Sequence, residues 1–82
     1  MRLDKYLKVS RLIKRRTVAQ EAASGQRVSV NGRIAKPAHD VKVGDVIEIR
    51  FGSHALVVRV LNLNEKARKE DSGDMYEVVE EG

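Results

Sequence analysis

Leu3, Tyr6 and Leu7 stand at i, i+3 and i+4, which places them on one face of a short helix over residues 2–8. Asp4, Lys5 and Lys8 fall on the other, solvent-facing side. Val9 and Ser10 loosen the turn, and Arg11-Leu12-Ile13 leads on, with Leu12 and Ile13 turned inward. A second helix is predicted over residues 15–24, where Val18, Ala19, Ala22 and Ala23 form one apolar stripe. Its alanines make the stripe narrow and suited to close packing. Thr17 and Gln20 have the spacing of a capping box. Gly25 is the expected stop, because glycine takes the left-handed conformation of a helix end without steric cost.

From Arg27 the period changes from helical to two. Arg27–Val30 alternates, Asn31-Gly32 follows, and Arg33–Ala35 alternates again. Asn-Gly between two such runs predicts a tight hairpin. Lys42-Val43-Gly44-Asp45 turns into a strand over 46–51, with Ile47, Ile49 and Phe51 on the inner face. Gly52-Ser53 turns the chain into a strand over 54–63, with Leu56, Val58 and Val60 inward. Residues 64–74 read as a polar, acidic loop with a helical turn, and 75–79 as a last short strand. The expected fold is α+β: two short N-terminal helices, arranged like a helix-turn-helix, against a small, mostly antiparallel, curved sheet. Residues 1–63 form the main body. The acidic segment 64–82 belongs to the same domain.

Composition narrows the function classes. The chain has 82 residues, 41% of them hydrophobic, and no cysteine. That is one domain, with stability of roughly 4–12 kcal/mol, no disulfides and no thiolate metal site. The longest apolar run is the four residues Ala55–Val58. A membrane helix needs about 20 and a signal peptide about 7–15, so the sequence predicts a cytoplasmic domain without membrane partners. The formal charge of +4 is unevenly placed. Residues 1–40 carry ten bases and three acids, a net of +7, whereas 41–82 carry six bases and nine acids, a net of −3. Arg2, Lys5, Lys8, Arg11, Lys14, Arg15 and Arg16 face only Asp4 within the first sixteen residues. Such a concentration is the footprint of a polyanion site rather than of general solubility.

Lys14-Arg15-Arg16-Thr17 is the most informative stretch. A helix start presents free N–H groups and partial positive charge. Three bases there work against the dipole unless an anion joins them, and the Thr17 hydroxyl adds a donor, so the junction suits a phosphate. Arg2, Lys5 and Arg11 extend the surface to several phosphates. Aromatics for base stacking are few: Tyr6, Phe51 and Tyr76, with Phe51 assigned to the core. Recognition of folded RNA or a duplex by phosphate and shape fits better. His39 and His54 lack carboxylates at ligand spacing, so no metal is expected. No nucleophile–base frame or glycine-rich phosphate loop is present, so neither catalysis nor a cofactor is expected. The carboxylates Glu65, Glu70, Asp71, Asp74, Glu77, Glu80 and Glu81 read as a solvated tail that repels nucleic acid from that side.

In order, Arg2-Leu3-Asp4-Lys5-Tyr6-Leu7, Lys14-Arg15-Arg16-Thr17, Ala19, Glu21-Ala22, Gly25, Val28-Ser29-Val30-Asn31-Gly32, Lys36-Pro37 and Val41–Asp45 resemble the S4 RNA-binding domain. The opening run and the tail Lys69–Val78 are most similar to its small members in ribosome-associated quality control, relatives of a small heat-shock-induced ribosome-binding protein. The resemblance implies a monomer on an obstructed large ribosomal subunit that contacts ribosomal RNA and peptidyl-tRNA. It also implies a partner, RqcH, that adds an alanine tail to the stalled chain. By matching position, Arg2 and Arg16 are the first choices for essential contacts, with Arg11, Lys14, Arg15 and Thr17 beside them. Asp4 orients a neighbouring base, and Asn31-Gly32 sets the hairpin. A general S4-type role in ribosome assembly or RNA modification, and duplex DNA binding through the second helix, remain the alternatives.

Overall fold

A computed structural model describes residues 1–66 and 74–81. It contains helices α1 (Leu3–Val9) and α2 (Arg16–Ser24), followed by strands β1 (Val28–Val30), β2 (Arg33–Ile34), β3 (Val46–Phe51), β4 (His54–Val60) and β5 (Tyr76–Glu81). The strands form one sheet in the order β2-β1-β3-β4-β5, with every neighbouring pair antiparallel. This is the expected α+β architecture. Of the polar segment expected over 64–74, residues 67–73 lie outside the described ones.

The two sequence periods account for the packing. Leu3, Tyr6 and Leu7 are fully buried, and Ala19, Ala22 and Ala23 meet them from α2. Registers Val28↔Ile49, Val30↔Ile47 and Ile47↔Val58 line up the apolar positions on one face of the sheet. Those residues are all in the core, and each fully buried aliphatic side chain contributes about 1.5–3 kcal/mol. Asn31 and Gly32 have φ of 53° and 83°, the two left-handed residues that a two-residue hairpin needs. The Asn31 side chain also ties this hairpin to β3. Its Oδ1 accepts from the Val46 N–H at 2.9 Å, and its Nδ2 donates to Asp45 at 3.1 Å.

Two segments distant in sequence, residues 37–41 and Met75, meet the start of the chain and α1. The Leu3 and Asp4 N–H groups donate to the carbonyls of His39 and Pro37, and Val41 N–H donates to the Met1 carbonyl. The Tyr6 hydroxyl donates to the Met75 carbonyl at 2.6 Å, and Met75 itself is buried.

Several expectations are corrected. Asp4 is not on a solvated face: its side chain is fully buried. Phe51, assigned to the core, is 40% exposed, at the turn end of the β3–β4 hairpin beside His54, whereas Tyr6 is buried, as its place on the apolar face of the first helix predicts. Val18 is exposed too, because only the alanine side of α2 reaches a partner. The Thr17–Gln20 capping box does not form: Arg15 is the N-cap, without a side-chain bond, and Gln20 donates to Asp4 instead. Gly25 has φ −80°, and the left-handed residue is Gln26, at 62°. Gln26 N–H bonds the Ala23 carbonyl and Arg27 N–H the Ala22 carbonyl, the paired bonds of a Schellman ending. At the other end of the chain, β4 stops at Val60, and β5 begins at Tyr76 and runs to Glu81.

A candidate nucleic-acid interface on the two helices

Asp4 sits where α1 and α2 touch, and two arginines converge on it. Arg2 Nε and Nη2 donate to its two carboxylate oxygens at 3.1 and 3.2 Å. Arg16 Nε lies 3.5 Å from Oδ2. Gln20 Nε2 donates to the same oxygen at 3.0 Å, and the Lys5 N–H to Oδ1 at 2.8 Å. Burial alone would raise this carboxyl's pKa. The bonds from Arg2, Gln20 and Lys5, with the Arg16 charge, outweigh burial and hold it down at about 2. A buried, ionised acid therefore anchors the inner edges of two guanidiniums. The arginine side chains remain 51% and 45% exposed.

The two helix starts differ. The first N–H groups of α1 are taken, those of Leu3 and Asp4 by the His39 and Pro37 carbonyls and that of Lys5 by the Asp4 carboxylate, so α1 has none to offer an anion. At α2, Arg15 is extended and makes no capping bond, and among the described residues the N–H groups of Arg16, Thr17 and Val18 have no acceptor. The start of α2 thus keeps free donors beside exposed Lys14, Arg15, Arg16 and Thr17. Such an end favours a phosphate oxygen.

The structure brings Arg2 and Arg16 together and places Lys14, Arg15 and Thr17 at the adjoining helix start. Arg11 is exposed in the turn between the helices, in left-handed backbone with φ 64°. Lys5 is the exception, since its ammonium lies 3.2 Å from Glu65. Gln20 was absent from the candidate residues. It lies four residues after Arg16, on the same helix face, so a polar side chain next to the alanine stripe was the available signal. Among the described residues, no group of three or more His, Cys, Asp or Glu is placed to hold a metal ion, and no helix is long and apolar enough to cross a membrane.

A family model described as the S4 domain matches residues 1–47, which takes in both helices and the first hairpin. The chain belongs to the S4 domain family. The S4 portion therefore contains every residue of the arginine–aspartate cluster. Relatives match well beyond it. A protein of Streptococcus pneumoniae named RQC P-site tRNA stabilizing factor is 57% identical over 81 residues, 99% of this chain and 92% of that one. A Bacillus subtilis protein of the same name is 51% identical over 81 residues, 99% and 94% of the two chains. Among solved structures, the heat shock protein 15 of Vibrio cholerae, described as trimeric, superposes with a TM-score of 0.87 at 29% identity. The match covers 95% of this chain and 80% of that one. The S4 helices and the full five-stranded sheet thus recur together in a known structure.

Proposed function

We propose that this protein is a non-catalytic RNA-binding factor of ribosome-associated quality control. It binds obstructed large ribosomal subunits in the cytoplasm, contacts ribosomal RNA and the P-site peptidyl-tRNA, and supports alanine tailing of the stalled chain together with RqcH. The observation that carries the reading is the pair of half-exposed guanidiniums, Arg2 and Arg16, held beside the uncapped start of α2. Guanidiniums and free N–H groups select phosphate oxygens, and with Tyr6 buried the helices present no aromatic platform for bases. The relatives named as P-site tRNA stabilizing factors support tRNA as one ligand. The alanine-tailing role and RqcH follow from the resemblance to that branch of the family.

The RNA-binding residues on this reading are Arg2, Arg11, Lys14, Arg15, Arg16 and Thr17. Lys5 contributes once it leaves Glu65. The protein acts as a monomer. Residues 1–63 form the S4 domain, and 64–82 complete it; the Tyr6–Met75 bond supports treating the two as one unit. Sedimentation of tagged protein with large subunits tests the assignment. Wild type should co-migrate, and co-migration of Arg16→Ala should be strongly reduced while it keeps its fold. Undiminished co-migration of the variant would remove the proposed site. If duplex DNA competes as well as ribosomal RNA does, the ribosomal assignment fails.

A further inference from the structure

We infer that Asp4 is the positioning residue of this face: it holds Arg2 and Arg16 side by side, with their remaining donors toward solvent. The inference rests on reading the two arginines as phosphate contacts, and it assigns a role to a residue that touches no ligand.

An acid at the centre of a polyanion-binding face lowers the local positive charge. Coulomb attraction alone gives no reason for it. The geometry does. The Asp4 side chain is fully buried, and its acceptor sites are filled. Oδ1 takes Arg2 Nε and the Lys5 N–H, while Oδ2 takes Arg2 Nη2 and Gln20, with Arg16 at 3.5 Å. A carboxylate has about four such sites, so none is left for RNA, water or a metal. What the carboxylate does is bring together two cations that repel each other. Arg2 is held side-on through two bonds, which fixes the plane of its guanidinium. Arg16 is drawn to the same oxygen from the other helix. Gln20, one turn beyond Arg16, keeps the carboxylate and α2 in register.

Ordering long side chains at an interface is one of the main costs of association. With Asp4 in place, two arginines are ordered before RNA arrives. The same contacts would also exist if Asp4 only clasped the helices together, and the two roles make different predictions. Asp4→Asn raises the formal net charge from +4 by one. An acid that only clasps the helices leaves Coulomb attraction to RNA slightly stronger in the variant. An acid that positions the arginines leaves binding weaker, and only while the arginines are present.

The test is a double-mutant cycle on the full chain, with equilibrium binding to purified large ribosomal subunits at fixed salt. Folding of each variant is checked by circular dichroism. The proteins are wild type, Asp4→Asn, Gln20→Ala, the Arg2→Ala/Arg16→Ala pair, and each single change in that paired background. Positioning predicts that Asp4→Asn weakens binding by about 10-fold and that the penalty falls to under about twofold once both arginines are gone. Gln20→Ala, which alters no charge, should weaken binding several-fold and lose its effect in the same background. It carries the test if Asp4→Asn does not fold. Equal or tighter binding by the folded single variants, with the arginine pair weakened, overturns the positioning role and leaves the RNA site standing. A penalty of the same size in both backgrounds also overturns it, in favour of a clasp. If the arginine pair itself binds like wild type, the phosphate-contact reading fails, and the role of Asp4 fails with it.

Discussion

The Tyr6 hydroxyl donates to the Met75 carbonyl at 2.6 Å, across 69 positions of sequence. It joins the first helix to the segment that leads into the last strand. The same carbonyl accepts from the Leu61 N–H at 2.8 Å and the Asn62 N–H at 3.3 Å. Removing the phenol oxygen therefore leaves no buried acceptor unmet. Tyr6→Phe should cost about 1 kcal/mol, the net value of one hydrogen bond, read as a lower midpoint in urea denaturation followed by circular dichroism. Burial, reinforced by nearby Tyr76, also raises this phenol's pKa far above its ordinary value. Its contribution is fully present below about pH 10, where the unfolded chain ionises, and is lost as pH rises further. Tyr6→Phe should lack that alkaline loss. An unchanged urea midpoint would mean the bond contributes nothing.

Acid should act through Asp4. Its folded pKa is about 2 against an ordinary 3.8. A depressed carboxylate contributes stability that is complete above the unfolded pKa and lost as pH falls through the folded one. The window is therefore about pH 4 down to about pH 2, and the contribution is about 2 kcal/mol. Denaturation curves for wild type and Asp4→Asn should differ by that amount at pH 6 and converge toward pH 2. A gap that stays constant through the acid range would contradict the assignment.

Salt should report the phosphate contacts one by one. Replacing Arg16 by Ala should lower the slope of log K against log salt by about 0.7–0.9, the value of one contact, when binding to large subunits is titrated with KCl. Lys8 lies on α1 outside the cluster, and Lys8→Ala should leave the slope close to that of wild type. Equal slopes for wild type and Arg16→Ala would show that Arg16 makes no phosphate contact.

Gln26 offers a stabilising change. It is exposed and sits at φ 62° in the ending of α2, and a side chain there costs roughly 1–2 kcal/mol of steric strain. Glycine removes the strain but adds chain entropy to the unfolded state. Gln26→Gly should therefore raise stability by about 0.5–1 kcal/mol, seen as a higher thermal midpoint. RNA binding should be unchanged, because the site lies at the other end of the helix. A lower midpoint would mean that the Gln26 side chain contributes a contact that outweighs its strain.

Much of this molecule was legible from periodicity. Leu3, Tyr6 and Leu7 marked one buried face, Asn31-Gly32 marked the hairpin, and alternation marked β3 over its full length. Three of the misses share one cause: each depended on which partner arrives from elsewhere. Phe51 continues the alternation of Ile47 and Ile49, but it lies at the hairpin end, where the core has run out. Val18 belongs to the stripe of α2 by spacing, yet only the alanine side docks. Asp4 is polar beside an apolar face, and nothing local says that Arg16 and Gln20 come from twelve and sixteen positions away to bury it. The basic residues of the candidate site were visible as charge density. Their arrangement around one buried acid was not, because it exists only once the helices pack.

The placement of Met75 has a consequence for the order of events during synthesis. A chain leaves the ribosome N-terminus first, so both basic helices are made before any strand. The hairpins β1–β2 and β3–β4 can close as they emerge, from neighbours already made. Tyr6 must wait for residue 75, and until then its hydroxyl lacks its acceptor. The helix that follows Arg2 and carries Asp4 is thus made before the sheet it packs with, and its Tyr6 hydroxyl is satisfied only once residue 75 is present.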